Sequence, residues 1–190
     1  VVTTTSLPFG VVGESYREFL MAAGGTPSYT WSLYSGVPPP GLAVFATGEV
    51  SGTPTASQSG GFQVQVTDSA SPPSTAMGFV LTSIRPRLNI ATSTLADGVR
   101  TRPYDWFVLA EGGRPPIALR LAAGSFPPGL SLSGVDANVG LFRVSGTPTS
   151  LGSSSFILEA ADSTSPPATV VKNLSITTYD PIQTIAPTAP

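Results

Sequence analysis

Apolar and polar residues alternate along several short segments of the chain. Segments 29–33, 62–66, 117–121 and 156–160 each carry an apolar residue at every second position. A period of two is typical of a β-strand that turns one face to the core and the other to solvent. No long segment shows the 3.6-residue apolar period of an amphipathic helix. The pattern therefore predicts an all-β fold.

Glycine and proline clusters separate the apolar segments at intervals of roughly 8–12 residues, which is typical of sandwiches and barrels. Two alternating sheets that pack face to face make the core of a β-sandwich. The predicted strands of the first half are 2–6, 16–23, 29–34, 42–45, 48–51, 62–67 and 76–84. Those of the second half are 88–94, 104–110, 117–122, 130–133, 140–145, 156–161 and 169–177.

The chain also contains an internal repeat. The sequence Pro-Pro-Gly-Leu at 39–42 recurs at 127–130, and Ser-Gly-Thr-Pro-Thr at 51–55 recurs at 145–149. The offset grows from 88 to 94 between these matches, so six additional residues fall in repeat 2, around Gly134–Gly140. We predict two tandem seven-strand Greek-key β-sandwiches over 1–85 and 86–178, followed by a Pro/Thr-rich linker or tail over 179–190.

The composition favours a surface of small polar residues. Charged residues make up 11% of the chain, against roughly 25% in ordinary globular proteins. Such a surface is common in secreted β-proteins. The net charge of −2 provides no overall field that would attract nucleic acid or an anionic membrane. Since there is no cysteine, no disulfide is available and each sandwich must be held by its core.

The residue types present argue against an enzyme. With neither histidine nor cysteine, the chain has no Ser-His-Asp or Cys-His arrangement and no typical zinc site. Lys172 is the single lysine and lies in a predicted strand. The eleven acidic residues are scattered, and nothing in their spacing predicts a converging acid-base pair. We therefore predict no catalytic residues.

The aromatic residues are expected mainly in the core. Trp31 and Trp106 are in phase with core positions of their strands, and a sugar-stacking surface is the alternative for such side chains. Tyr16 and Tyr104 recur at the same site of the two repeats, which indicates a packing role. Two further aromatics have the opposite phase and indicate either a bulge or a surface patch. They are Phe19 and Phe107.

Repeat 1 contains an ordered set of motifs. They are Gly-Gly-Thr-Pro at 24–27, Tyr-Thr-Trp at 29–31, Pro-Pro-Gly-Leu at 39–42, Gly-Glu-Val-Ser-Gly-Thr-Pro-Thr at 48–55 and Val-Thr-Asp-Ser at 66–69. In this order the motifs resemble those of the bacterial putative-Ig repeat family, whose members are grouped with cadherin-like and Ig-like sandwiches. Repeat 2 matches less well, because Leu119 stands where repeat 1 has Trp31 and because it carries the insertion.

The resemblance implies a function. Such repeats usually form arrays on large secreted or surface-attached bacterial proteins, so it implies a non-catalytic stalk or spacer segment with an extracellular or cell-surface location. The expected partners are neighbouring modules of the same polypeptide, and the chain is expected to be a monomer that neither binds nucleic acid nor inserts into a membrane. The alternative is a calcium-dependent or glycan-binding cadherin-like adhesion module that recognises extracellular polysaccharide or a surface protein.

Calcium is the one metal that the resemblance suggests. Asp68 and Asp162 open Ser/Pro turns that look like the cadherin segment before its last strand, where an Asp contributes to a calcium site between domains. The calcium candidates are thus Asp162, Asp68 and Asn89. An Asp in this position also caps its turn through Asx-type hydrogen bonds, which is the structural alternative. The linker basic residues Arg85 and Arg87 and the missing Leu-Asp-Arg-Glu motif of cadherins count against calcium.

Overall fold

The computed structural model describes residues 1–181 of the 190-residue chain. The chain divides into two compact units, Val1–Arg87 (unit 1) and Leu88–Pro190 (unit 2). Residues 182–190, most of the predicted linker or tail, lie outside the described residues. Within 1–181, no helix is long and apolar enough to cross a membrane.

Unit 1 is built from seven strands in two sheets. The strands are β1 (Gly10–Val11), β2 (Tyr16–Phe19), β3 (Thr30–Ser35), β4 (Leu42–Val44), β5 (Glu49–Gly52), β6 (Gln58–Thr67) and β7 (Thr75–Arg85). One sheet has the order β1-β7-β6-β3, and the other has the order β2-β5-β4. All strand pairs are antiparallel except the first with the last, β1 with β7, which are parallel.

Unit 2 repeats this arrangement with one additional strand. The strands are β8 (Asn89–Ile90), β9 (Gly98–Val99), β10 (Tyr104–Glu111), β11 (Ala118–Gly124), β12 (Leu130–Asp136), β13 (Leu141–Gly146), β14 (Gly152–Ala161) and β15 (Thr169–Tyr179). The sheets have the orders β11-β14-β15-β9 and β12-β13-β10-β8. The parallel pair is again formed with the last strand, here by β9 and β15.

Each unit has a core between its two sheets, as the alternating pattern predicts. In unit 1, Val50 of one sheet and Val64 of the other are fully buried in one cluster. The predicted core positions Trp31, Tyr16 and Tyr104 are confirmed as buried. The Tyr16 hydroxyl donates to the carbonyl of Pro8 at 2.8 Å, and that of Tyr104 donates to Ala96 at 2.9 Å. Burial raises the pKa of Tyr104 to about 12, with Asp97 contributing, so the phenol stays neutral.

The first strand of each repeat differs from the prediction, because it divides between the two sheets. In unit 1, the predicted strand 2–6 contains only the isolated bridges of Val2 with Ala22 and of Ser6 with Leu81. The strand that pairs with β7 comes later, at Gly10–Val11. In unit 2, the predicted strand 88–94 is shortened to β8, and β9 follows in the other sheet. Over residues 88–181, unit 2 therefore has eight strands rather than seven.

The expectation that Trp106 lies in the core is wrong, since its side chain is 44% exposed. Trp106 pairs with the buried Val144 of β13 and so has the inward phase. However, β8 pairs with β10 only at Ala110 and Glu111. At Trp106 the strand thus lacks a neighbour on one side. The alternation of inward and outward positions along a strand does not show where such an edge occurs. Phe19 and Phe107, which have the outward phase, are exposed as that phase indicates.

Candidate functional site: the Asp-Ser and Gly-Gly loop pair

In unit 1, the loop after β6 is joined to the loop before β3 through Asp68. Its Oδ2 accepts a hydrogen bond from the backbone N–H of Thr26 at 3.1 Å. Its Oδ1 accepts from the N–H groups of Ser74 at 2.7 Å and Ala70 at 3.3 Å. The bonds to Ala70 and Ser74 close the turn of the Asp, and the bond to Thr26 ties that turn to the neighbouring loop.

In unit 2, Asp162 makes the same set of contacts in a more buried setting. Its side chain is only 5% exposed. Oδ2 accepts from the N–H of Arg114 at 3.0 Å, and Oδ1 accepts from the N–H of Ala168 at 2.9 Å. Thr164 adds its N–H at 3.1 Å and its hydroxyl at 2.5 Å. A buried carboxylate requires such compensation, because removing its charge from water costs several kcal/mol or more when no partner is present.

The serine that follows each Asp completes the connection. The Ser69 hydroxyl lies 3.1 Å from the carbonyl oxygen of Thr26 and 2.7 Å from that of Pro27, to which it donates. The Ser69 N–H also donates to the Thr26 carbonyl at 3.0 Å. The Asp-Ser pair thus satisfies both the donor and the acceptors of the facing loop. The equivalent contacts in unit 2 run from Ser163 to the carbonyl groups of Arg114 and Pro115.

The glycine pairs of the facing loops make this approach possible. Gly25 and Gly113 have φ values of +77° and +58°, which favour glycine. A Cβ atom at Gly25 would lie 2.6 Å from Oδ2 of Asp68, and one at Gly113 would lie 2.9 Å from Oδ2 of Asp162. Any side chain at either position would therefore displace the carboxylate. The Gly-Gly and Asp-Ser motifs are two halves of one contact, which we call the loop clasp.

Hydrogen bonding keeps both carboxylates ionised. For Asp68, the N–H groups of Ser74 and Thr26 hold the pKa below its ordinary value, against the opposing effect of burial. For Asp162, burial is the largest single influence and raises the pKa. The hydrogen bonds from Thr164, Arg114 and Ala168 together outweigh it, so the pKa of Asp162 is also lowered.

The structure places the three calcium candidates in different surroundings. Asp68 and Asp162 each belong to the loop clasp of their own unit. Asn89 is exposed in β8, opposite Glu111 of β10. Within the described part of the chain, no group of three or more His, Cys, Asp or Glu residues could hold a metal ion.

Calcium binding at these residues stays a prediction. The hydrogen bonds of the two Asp residues are those of the structural alternative, in which the carboxylate caps its turn. Calorimetry with Ca²⁺ on the whole chain and on Asp162→Ala distinguishes the two roles. Absence of heat at millimolar Ca²⁺ would remove the calcium hypothesis.

Sequence reasoning found each half of the clasp but not their contact. The signal was present, because Gly-Gly and Asp-Ser recur together in both repeats. Co-occurrence of two motifs does not by itself say that they touch, since other motif pairs recur in the same way. The chain reversal that brings residue 26 beside residue 68 is a property of the sandwich.

Comparisons with known proteins agree with this architecture, which defines the two units as Ig-like β-sandwiches. Residues 1–84 match the family model described as "Putative Ig domain". This part of the chain is thus similar to members of that family. A search of curated protein sequences found no match.

Solved structures that match this chain include titin, an endo-fucoidan hydrolase and a protocadherin. The I-band fragment from titin has 11% identity and a TM-score of 0.51, over 95% of this chain and 66% of the fragment. An endo-fucoidan hydrolase of glycoside hydrolase family 107 has 21% identity and a TM-score of 0.47, over 92% of this chain and 33% of the enzyme. A protocadherin gammaB7 structure has 14% identity and a TM-score of 0.44, over 95% of this chain and 47% of the protocadherin chain. The chain spans less than two thirds of each structure, and the titin likeness shows the fold alone.

Proposed function

We propose that this chain is a non-catalytic stalk or spacer segment of a larger bacterial extracellular or cell-surface protein. Its partners in this role are the neighbouring modules of the same polypeptide. The observation that carries the proposal is the parallel pairing of the last strand of each unit with a short strand near its beginning, β7 with β1 and β15 with β9.

Parallel pairing of these strands suits a module that bears tension. In unit 1, Gly10 lies opposite Ile84 and Val11 lies opposite Arg85. The contact is extended by the N–H of Val12, which donates to the Arg85 carbonyl at 3.0 Å. In unit 2, β9 and β15 are followed by a bond from the N–H of Arg100 to the Tyr179 carbonyl at 2.8 Å.

The direction of the pulling force explains why parallel pairing resists extension better than antiparallel pairing. When the two ends of a unit are pulled apart, two parallel neighbouring strands slide along each other. Their hydrogen bonds are then loaded together and must break together. Antiparallel neighbours pulled from one shared end separate one bond at a time, which needs less force. The arrangement of the terminal strands is therefore one that resists extension.

The loop clasps support the same role. The side chains of both aspartates and both serines of the clasps form hydrogen bonds with backbone groups of their own unit. Loops held in this way add rigidity to one end of each sandwich. A rigid unit transmits force and preserves spacing better than one with mobile loops.

Single-molecule force spectroscopy on the whole chain tests the proposal. We expect an unfolding event for each unit and a lower force for unit 1 in Val12→Pro, because proline removes the N–H that bonds to Arg85. Val12→Ala is the matched control, since it trims the side chain and keeps the N–H. Equal unfolding forces for Val12→Pro and the unsubstituted chain would contradict the proposal.

Glycan binding is a second candidate, favoured by the outer face of β6 and β7 in unit 1. Met77, Phe79 and Leu81 form an outward row on β7, each just over half exposed. Gln65 and Gln63 lie opposite Met77 and Phe79 on β6. An exposed apolar row beside amide groups suits a sugar, whose rings combine apolar C–H faces with hydroxyl groups.

A comparison of two equivalent positions tests glycan binding. Phe79→Ala removes the aromatic surface of unit 1, whereas Asn173→Ala changes the matching position of unit 2, where no aromatic residue stands. On a glycan array or in a pull-down with cell-wall polysaccharide, we expect the first substitution to abolish binding and the second to leave it unchanged. Absence of binding by the unsubstituted chain would remove this candidate.

A further inference from the structure

The two units carry an exposed phenylalanine at equivalent sites. Phe19 of β2 is 52% exposed and Phe107 of β10 is 51% exposed. Their partners across the ladder are Glu49 of β5 and Arg143 of β13. Both phenylalanines lie on the outer face of the sheet, because the next core residues along their strands, Leu20 and Val108, are buried.

Each phenylalanine lies beside an ion pair between the same two strands. In unit 1, Arg17 Nη2 lies 2.9 Å from Glu49 Oε2, and the guanidinium group lies 5.3 Å from the centre of the Phe19 ring. In unit 2, Arg143 contacts Asp105 twice, with Nε 2.5 Å from Oδ1 and Nη2 2.6 Å from Oδ2.

The charges of these ion pairs are reversed between the units. Arg17 precedes Phe19 by two residues, and Asp105 precedes Phe107 by two residues. The partner strand carries an acid in unit 1, Glu49, and a base in unit 2, Arg143. The charge at each of the two positions is thus opposite in the two units, while both units keep an ion pair between them.

Exposed apolar residues surround both pairs. In unit 1 they are Met21, 66% exposed, and Phe45, 48% exposed. In unit 2 they include Leu109, 38% exposed, which precedes the outward Glu111 of the same strand. A face that combines apolar area with charges of both signs resembles the surface of a reversible protein contact.

We propose that the β2–β5 face of one copy of the chain binds the β10–β13 face of a second copy. When such faces stack with the Phe-bearing strands opposed and parallel, two unlike faces bring Arg17 toward Asp105. With those strands antiparallel, they bring Glu49 toward Arg143. Two like faces in either alignment would bring equal charges together, and like charges at a contact are repelled. The reversal of sign thus favours pairing between unlike units.

This inference goes beyond the stalk role and does not depend on it. It replaces the monomer expected from the sequence with a reversible association. Each contact joins one β2–β5 face and one β10–β13 face, and every copy of the chain carries both faces.

Charge exchange on the whole chain tests the proposal. Arg17→Glu with Glu49→Arg reverses the sign on unit 1 and keeps its internal ion pair. Sedimentation equilibrium is expected to show concentration-dependent association of the unsubstituted chain, and at least a roughly tenfold weaker association after this exchange. Adding Asp105→Arg and Arg143→Asp reverses unit 2 as well and is expected to restore the association.

A matched control keeps the result specific. Arg120→Glu with Glu159→Arg exchanges an ion pair on the other sheet of unit 2 and is expected to change nothing. Circular dichroism and thermal melting establish that each variant is folded. If unit 1 exchange abolishes folding, Phe19→Ser gives the second test and is expected to weaken association.

Three outcomes would overturn the proposal. The first is a chain that stays monomeric up to millimolar concentration. The second is association that the exchange on unit 1 leaves unchanged, which would mean pairing of like units or contact through another surface. The third is equal weakening by the control exchange.

Discussion

The cores of the two units share seven equivalent strands, but large and small side chains occupy different positions in them. Trp31 of β3 is buried and lies against Gly48, where a Cβ atom would be 2.7 Å from the indole nitrogen. At the matching positions unit 2 has Leu119 on β11 and Phe142 on β13. Phe142 is buried in the core cluster of unit 2, and the partly buried Leu119 packs against that cluster.

This difference teaches that the positions of the repeat change together when they share a space. An interior packed to crystal-like density has no room for a tryptophan and a phenylalanine in one place, and a leucine beside a glycine would leave a void. A large residue on one strand is therefore matched by a small one on the facing strand. In the sequence alone, the replacement of Trp31 by Leu119 and that of Gly48 by Phe142 look like two unrelated differences between the repeats.

The outer faces follow a different rule, because solvent accommodates any exchange there. Unit 1 has Ser32 and Gln65 opposite each other on β3 and β6. Unit 2 has Arg120 and Glu159 at the matching positions, joined by an ion pair of 2.7 Å. The inner faces of the two units thus constrain volume, and the outer faces are left to diverge toward different surfaces.

The largest expected effect comes from transplanting the core of unit 1 into unit 2. Phe142→Gly alone should lower the free energy of unfolding by at least about 3 kcal/mol through the cavity it leaves. Leu119→Trp alone should cost about 1–3 kcal/mol through overpacking. The double variant should cost less than their sum by at least about 1 kcal/mol, because the indole fills the cavity. Chemical denaturation measures all three.

A distant pair provides the control for that experiment. Leu119→Trp combined with Ile84→Ala, which lies in unit 1, should be additive. If Leu119→Trp and Phe142→Gly are also additive, the two residues do not share a space and the comparison fails.

The turn glycines should instead give equal effects in the two units. Gly41 and Gly129 have φ values of +90° and +94°. A Cβ atom at either would collide with the backbone carbonyl of Thr53 or Thr147. Replacement of either by alanine should cost about 2 kcal/mol or more, from the left-handed backbone and the collision together. A difference above about 1 kcal/mol between the two variants in denaturation would show that the turns are not equivalent.

The loop clasps should differ between the units because their burial differs. Asp162→Ala removes an acceptor of the N–H groups of Arg114, Thr164 and Ala168 in a buried site, and only Ala168 retains a second one in the Thr164 hydroxyl. The substitution should cost about 2–3 kcal/mol. Asp68→Ala should cost less, since its surroundings are more open to water and its donors can be rehydrated. Thermal or chemical denaturation that ranks Asp68→Ala as the more damaging would contradict this reading.

Two buried threonines should have the opposite sign of effect. Within the described residues, the hydroxyl groups of Thr82 and Thr178 are buried and make no hydrogen bond. They stand where the other unit has Ile176 and Ile84. Thr82→Val and Thr178→Val keep the shape and remove the unpaired group, so each should raise the free energy of unfolding by about 1 kcal/mol. A loss of stability would mean that the hydroxyl groups have partners in solution.

The smallest expected effect is that of mild acid on the clasps. The folded pKa of Asp68 and that of Asp162 are below the ordinary value of 3.8. Their contribution to stability is therefore complete above that value and is lost as the pH falls from about 3.8 toward the folded pKa. Unfolding monitored between pH 7 and pH 2 should show the decrease due to these two carboxylates only below about pH 4. This decrease should be smaller in Asp162→Ala, because one of the two linked groups is gone.

The sequence determined much of the fold because its signals are local. Alternation along segments such as 62–66 reflects a strand with one buried face, and the tandem repeat required the same fold twice. The turn motifs at 39–42 and 51–55 contain glycines with positive φ, which few other residues tolerate. These features depend on neighbours along the chain and could be read without a structure.

The tertiary structure alone decided which distant residues meet. The exposure of Trp106 follows from the place where β8 stops pairing with β10. The clasp of Asp162 with Gly113 and the reversed ion pairs beside Phe19 and Phe107 join residues about 30 or more positions apart along the chain. The path of the chain through space determines where a strand lies at a sheet edge, which side chains share a volume and which residues meet across strands. The strands are inferred from local periodicity, which contains no information about that path.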